Sequence, residues 1–542
     1  RMETVQACDY AGGYTCHAGG CVNICAAAQN ERSYMGCEFY AVDLDNATIS
    51  QIHDAARQQY AVVVSNLQKV PVEVFVEVNT AAFGEPTQVE QVARTLVPPG
   101  DLEIFALPGR EVDGSSSEGL NDGTHTALSS NAYRIRSSHP IIAYQFNPLD
   151  NVDVFSNEAS LLIPTSAIER RYTVVGWPQT IGDSDEPAED FDFTTDDEDL
   201  RAFLTIVGTE PNTELRVELG PDVGQVVGAG PIPQLDPGQA LELELGPFDV
   251  VNLETQGLMS DFSGTRVLAS HPVSVFVGSE ASDVPVFDRY ETRQCCADHL
   301  EEQLFPDATL GLRYLIARMP PRTRALNESF IDGSSVAEVD EPEWVRLVAA
   351  AEGDTAVSTT LPPPDDLLIL AELEGAILEA DRDFIISSNK PLAVLQALPS
   401  QQVVGIPKAL PGGDPSIIAV PPIEQYRDSY VFLTPDKYAF DFITVVAESG
   451  TRVLLDGEEL PEHCTSTEVE GSGEGGRDFL IYRCQLSFPE VTRSPVTDIR
   501  EGRQSDGVHS ITADRPVGLV VYGFDRFVSY AYAGGLDLKL LY

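Results

Sequence analysis

Ser138-His139-Pro140-Ile141-Ile142-Ala143-Tyr144 is one of four stretches in which a polar turn and a proline lead into an apolar strand. Ser270-His271-Pro272-Val273-Ser274-Val275-Phe276, Asn389-Lys390-Pro391-Leu392-Ala393-Val394-Leu395 and Asp514-Arg515-Pro516-Val517-Gly518-Leu519-Val520 are the others. The prolines lie 132, 119 and 125 residues apart. Recurrence at a near-constant interval marks repeated units. A proline heading a strand is tolerated because that residue need not donate to the ladder.

Upstream of each proline an apolar strand leads into a second, alternating one. Residues 61–66 precede 72–78, 203–208 precede 213–219, 345–348 precede 355–357, and 442–446 precede 451–455. Period-2 patterning puts Val72, Val74, Val76 and Val78 on a core face and Glu73 and Glu77 in water. Turn signals such as Pro98-Pro99-Gly100-Asp101 and Asp236-Pro237-Gly238 separate the strands. About six strands per repeat fit a small two-sheet sandwich, so the expected fold is all-β: tandem β-sandwich-like modules behind a small N-terminal lead. The alternative is a β-propeller of four-stranded blades. Boundaries follow at 1–32 for the lead and 33–165, 166–300, 301–420 and 421–542 for the repeats. Short helices are expected only at 51–59 and 298–304.

The charge is one-sided, with 85 acidic against 34 basic residues and a net charge of −51. Such a surface repels nucleic acid and anionic membranes, so neither is an expected partner. No apolar run reaches 18 residues, so no membrane span is expected. Self-repulsion on this scale suits salty or cation-rich surroundings.

Nine cysteines point to an oxidising compartment. Cys8, Cys16, Cys21 and Cys25 lie in a Gly-rich lead too small for its own core, which two disulfides would staple; a four-thiolate zinc site is the alternative. Cys464 and Cys484 flank a glycine-rich loop, and bridging them would stabilise by about 3 kcal/mol. Cys37 is expected to pair with Cys295 or Cys296, leaving one thiol over.

The segment 183–199 holds ten carboxylates. Asp183, Asp185, Glu186, Asp190, Asp192, Asp196, Asp197 and Asp199 are the candidate ligands for Ca²⁺, which takes about six to eight hard oxygens. A solvated acidic loop is the competing reading. Asp43-Leu44-Asp45-Asn46 is a weaker calcium candidate, and turn capping explains it as well. No nucleophile elbow, HExxH, phosphate loop or dinucleotide fingerprint is present. The eight histidines are scattered, two of them in the repeated pre-proline turn. Catalytic residues and cofactors other than calcium are therefore not expected.

Cys295-Cys296-Ala297-Asp298-His299-Leu300-Glu301-Glu302-Gln303-Leu304-Phe305-Pro306 resembles the Cys-x-Asp-His-Leu-x-Glu-Gln-Leu-x-Pro segment of the N-terminal domain of IgGFc-binding proteins. That domain occurs in mucus-associated animal proteins and in secreted or surface proteins of bacteria, notably myxobacteria. Residues 33–46, 158–164 and 528–535 are similar to the bacterial versions, so the resemblance spans about 33–540. As part of a structural signature, Cys295, Cys296, Asp298, His299 and Glu301 read as a bridge plus a hydrogen-bonded histidine rather than a metal site. The resemblance implies an exported, non-enzymatic surface or extracellular protein that binds a glycan or protein ligand, as an adhesin does. The alternative is a self-assembling subunit of a filament, sheath or surface layer, a homo-oligomer whose contacts cations would bridge.

Overall fold

In three repeats the proline lies inside a strand, not at its head. Tyr133–Asn147, Arg266–Ser282 and Gly507–Asp525 run through Pro140, Pro272 and Pro516. In the third repeat Pro391 separates Phe384–Ser388 from Leu392–Leu398. The computed structural model describes residues 7–17, 19–50, 53–115, 124–149, 156–181, 200–220, 223–287, 293–469 and 478–542.

At each proline inside a strand the ladder skips. Glu38 pairs with Arg136 but Gly36 with Ile141; Arg171 pairs with Leu268 but Glu169 with Val273; Ser429 pairs with Thr512 but Arg427 with Val517. The missing proline donor falls in the skipped stretch, where the chain turns from one sheet to another. A tyrosine pins the corner in three repeats. The hydroxyls of Tyr172 and Tyr314 donate to the carbonyls of Val273 and Leu392 at 2.8 and 2.6 Å, and that of Tyr430 to Val517. Each also accepts from the backbone N–H three residues before it, of Glu169, Gly311 or Arg427, at 2.9 to 3.1 Å. Phe39 holds the matching position in the first repeat, three residues after Gly36.

The corner divides each repeat into two sheets, seen most simply in the third. Arg313–Ile316, Phe384–Ser388, Thr355–Thr359 and Leu367–Leu370 make one; Gly375–Ala380, Glu343–Ala349, Leu392–Leu398 and Ser416–Ala419 make the other. Tyr314, Val357 and Phe384 from the first meet Val345, Leu347 and Leu392 from the second in one apolar cluster. The same pairing recurs in the other repeats with the two central strands fused into one long strand. The fold is thus a set of β-sandwiches sharing a strand between sheets, and the sheets do not form propeller blades. In the first repeat Val72, Val74, Val76 and Val78 are buried as the alternation predicts. Glu77 is buried too, because Arg134 reaches it at 2.7 Å.

The last strand of each repeat, Glu158–Leu161, Asp298–Gln303, Ser416–Ala419 and Val528–Ala533, meets the last strand of the next, and the fourth meets the first. These four closing strands therefore surround a common axis. One continuous apolar core draws on all four repeats, with Val63, Leu204, Leu395 and Tyr532 among its members. Where 298–304 was expected to be helical, it forms a closing strand, and the boundary placed at 300/301 cuts through it. Its residues are buried on both faces, so polar groups occur without alternation and the strand period is hidden. The helix expected at 51–59 is also absent: His53–Asp54 is a short strand, followed by a turn. Among the described residues the α-helices are Ile24–Glu31 and Arg322–Ser329.

The chain's two ends complete the circle. Tyr34 N–H donates to Leu536 O and Leu538 N–H to Arg32 O, both at 3.2 Å, around an antiparallel bridge of Ser33 with Asp537. Gly535, at φ +138°, lies over the Tyr34 ring; a Cβ there would sit 2.5 Å from Tyr34 Cζ, so only glycine passes.

The bridges differ from the expected set. Cys8 pairs with Cys21, but Cys25 pairs with Cys37, stapling the lead to the first repeat instead of closing within itself. Cys295 and Cys296 bridge each other, so neither reaches Cys37. Cys464 is bridged to Cys484, and the remaining thiol is exposed Cys16. With these pairings the lead's cysteines do not form a four-thiolate site. The lead also rests on the first corner: His139 Nε2 lies 2.8 Å from Tyr10 O, and the two rings meet at a tilt with centroids 5.6 Å apart.

Candidate functional site

Two sets of buried acidic residues stand out. The first lines the axis. Glu158 Oε1 accepts the N–H of Ala531 at 3.0 Å and that of Ala159 at 3.1 Å. Glu302 Oε1 accepts from Ala419 N–H at 3.1 Å, and Asp298 Oδ1 from Asn157 N–H at 2.9 Å. Ser160 Oγ accepts from Gln303 N–H at 3.0 Å, and Ser529 Oγ from Asp414 N–H at 3.1 Å. Side chains thus satisfy backbone donors that edge strands would otherwise leave open, each one bridging two repeats or two strands of one. Burial holds Glu158, Glu302 and Asp298 well above the usual carboxylate range, with the charges of Asp414 and Glu158 adding to the rise at Asp298.

The second set lies between the first and second repeats. Ala127–Ser129 of the first repeat adds to the second repeat's strand Val250–Gln256, with Ala127 opposite Asn252. That pairing carries His125, at φ +59°, to Glu254. His125 Nδ1 is 3.1 Å from Glu254 Oε2, 3.9 Å from Asp45 Oδ2 and 4.0 Å from Glu280 Oε1. The four ligand-type atoms lie within 4.8 Å of one another. Asp45 and Glu254 are fully buried and Glu280 is 2% exposed. Asn252 Nδ2 donates to Glu254 Oε1 at 2.7 Å and to His125 O at 2.9 Å, and Arg201 N–H to Glu280 Oε1 at 2.8 Å. Apart from the His125 imidazole, no donor reaches either oxygen of Asp45 or Glu254 Oε2.

Burial alone would lower the His125 imidazole, but Asp45, Glu254 and Glu280 outweigh it and hold it at about 12. Burial and the neighbouring Asp45 charge push Glu254 and Glu280 up. Asp43, Glu111 and Asp113 stand beside the cluster and are raised by burial as well.

Asp45 belongs to the weaker of the two calcium candidates, and Asp43 lies beside the cluster; Asn46 instead ties the loop to Asn147 and Ser156. Asp183, Asp185, Glu186, Asp190, Asp192, Asp196, Asp197 and Asp199 lie outside the described residues. The Cys295–Glu301 group does not converge. Asp298 faces the axis, while His299 Nε2 lies 3.4 Å from Glu301 Oε2, and burial lowers that imidazole to about 4. Glu254 and Glu280 carry no signal in so acidic a chain, and His125 is one of eight scattered histidines.

A family model described as IgGFc binding protein matches residues 158–523. The chain belongs to the IgGFc-binding protein family. The match to that family opens on Glu158, the first residue of the first closing strand, and takes in every later repeat up to Gly523. No curated protein and no solved structure matches the chain. Among the described residues, no helix is long and apolar enough to cross a membrane.

Proposed function

We propose that this IgGFc-binding family member is an exported, non-enzymatic protein that holds a protein ligand on its outer surface, as an adhesin does. Family membership is the observation that carries the reading. Four disulfides agree with an oxidising, extracellular setting. The arrangement of the repeats adds a means: closing strands face the axis, and the opposite edges of the sheets face out. Two outer edges expose apolar side chains, the first beside Glu90 and Arg94. Val89, Val92 and Leu96 on Val89–Val97, and Leu367 and Ile369 on Leu367–Leu370, are 42 to 61% exposed. The matching strands of the other repeats carry Glu242 and Glu244, and Glu458 and Glu459, which discourage pairing.

The test is surface plasmon resonance of the full chain over immobilised immunoglobulin Fc, with a glycan array alongside, at physiological salt. Saturable binding to Fc supports a protein-binding surface, while glycan binding alone would replace the protein ligand with a carbohydrate one. The exposed apolar side chains on these edges favour the second reading, a self-assembling extracellular subunit, because apolar edge strands pair with copies of themselves. Large particles in light scattering that disperse when Val92 and Leu96 are changed to Lys, with no binding to either probe, would establish that reading instead.

A further inference from the structure

We propose that Asp45, His125, Glu254 and Glu280 bind one first-row divalent cation, zinc in preference to calcium, which locks the first repeat to the second. Two independent observations meet here. The first is convergence: Nδ1 of His125 stands 3.1, 3.9 and 4.0 Å from one oxygen of each carboxylate. Ligands about 2.1 Å from a tetrahedral ion lie about 3.4 Å apart, so small side-chain movements close the shell. The second is the lack of donors other than that imidazole: Asp45 is fully buried, and apart from His125 neither its oxygens nor Glu254 Oε2 meet a hydrogen-bond donor. Carboxylates held in a dry interface normally take backbone donors, as one oxygen each of Glu158, Glu302 and Asp298 does. Three carboxylates converge on the imidazole, and a dication that displaces its Nδ1 proton to solvent takes that proton's place among them.

The surroundings have the form of an outer shell. Asn252 fixes Glu254 through its other oxygen and also holds the His125 carbonyl, while the Arg201 N–H fixes Glu280. Such partners orient ligands before the ion arrives. The imidazole selects the ion: nitrogen suits zinc and its neighbours, whereas calcium prefers an all-oxygen shell. His125 is 19% exposed in its side chain, which gives an ion a way in from solvent. Two ligands come from each repeat, so bound metal is a cross-link between them.

The test uses the full chain carrying Cys16→Ser, which removes the exposed thiol as a competing zinc ligand. The protein is stripped with a chelator, dialysed, and titrated calorimetrically with ZnCl2, MnCl2 and CaCl2. The expected result is one zinc per chain, with weaker manganese binding and a higher melting temperature in zinc. His125→Ala should weaken zinc binding by about a hundredfold or more while leaving any calcium binding by the acidic segment 183–199 unchanged. Absence of saturable zinc or manganese binding to the stripped, folded parent overturns the proposal, whatever the variant does. Zinc binding that His125→Ala leaves intact, with its circular dichroism unchanged, overturns it too.

Discussion

The axis and the cluster between repeats bury the same kind of side chain at the same kind of boundary, with opposite solutions. On the axis, Glu158, Glu302 and Asp298 each accept a backbone N–H, so burial is compensated by donors the neighbouring strand already needed to place. Between the first two repeats, Asp45, Glu254 and Glu280 face one imidazole and one another. A buried carboxylate is stabilising where the fold supplies donors to it and costlier where further carboxylates crowd against it. The axial set reads as architecture, whereas the cluster gathers three carboxylates around a single imidazole.

The largest effect should come from breaking the axis. Glu158→Ala removes the acceptor for both Ala531 and Ala159 and should cost about 3 kcal/mol in urea unfolding. Glu158→Gln keeps an acceptor and should cost less than half of that. A near-neutral Glu158→Ala would mean the axis is held by apolar packing alone.

The pH dependence is the next test, and Asp441 reports it away from the cluster. Burial raises its carboxyl to about 8, with Asp506 and Asp525 adding like charge, and Tyr530 donates to it at 2.7 Å. A folded-state value above the unfolded one means the folded protein binds the proton more tightly. The stability it contributes is complete below about pH 4 and is lost as pH rises toward 8, at up to roughly 1.4 kcal/mol per pH unit. Melting temperature should therefore fall between pH 5 and 8, and Asp441→Asn should flatten the slope. A profile that rises with pH would show that depressed carboxylates dominate instead.

The cluster should give a change of sign. Glu254→Gln removes one of three like charges, so in chelator it should stabilise by about 1 kcal/mol, and in zinc it should destabilise by a similar amount. Equal effects in both media would erase the distinction between the two regions. The smallest expected effect is at Ser160→Ala, which strands one buried N–H, that of Gln303, at about 1 kcal/mol.

Much of the fold was legible because local pattern carries it. The alternation of 72–78 placed a strand and its buried valines, and the recurring proline marked strands it crosses in three repeats, not strands it heads. The tyrosine that pins each corner was also open to reading, as a Tyr some 80 to 100 residues before its proline, but a single aromatic at varying distance gives little signal. The closing strands were not legible. Asp298–Gln303 is polar at nearly every position and buried on both sides, which erases the period that marks a strand. The cluster was half visible. The loop 43–46 attracted notice for its carboxylates, but its partners lie in other loops and another repeat, brought together by the pairing of Ala127–Ser129 with Val250–Gln256. The Cys464–Cys484 bridge was legible from the loop it flanks, but the partner of Cys37 was not, since it finds Cys25 in the lead's helix rather than Cys295 or Cys296 through the second repeat.

The seam of residues 32–34 with 536–538 has a mechanical consequence. Arg32 faces Leu538 and Tyr34 faces Leu536, so tension drawing the two strands apart from their outer ends would unzip the hydrogen bonds one at a time. The Cys25–Cys37 bridge changes the path of that load. A pull arriving through the lead crosses the sulfurs straight to the strand Gly36–Ala41, and the intervening residues, including the clasp, carry none of it. In oxidised protein the clasp is strained only from the tail; in reduced protein it is strained from both sides. Thiol chemistry in the surroundings thereby sets how firmly the circle holds under traction.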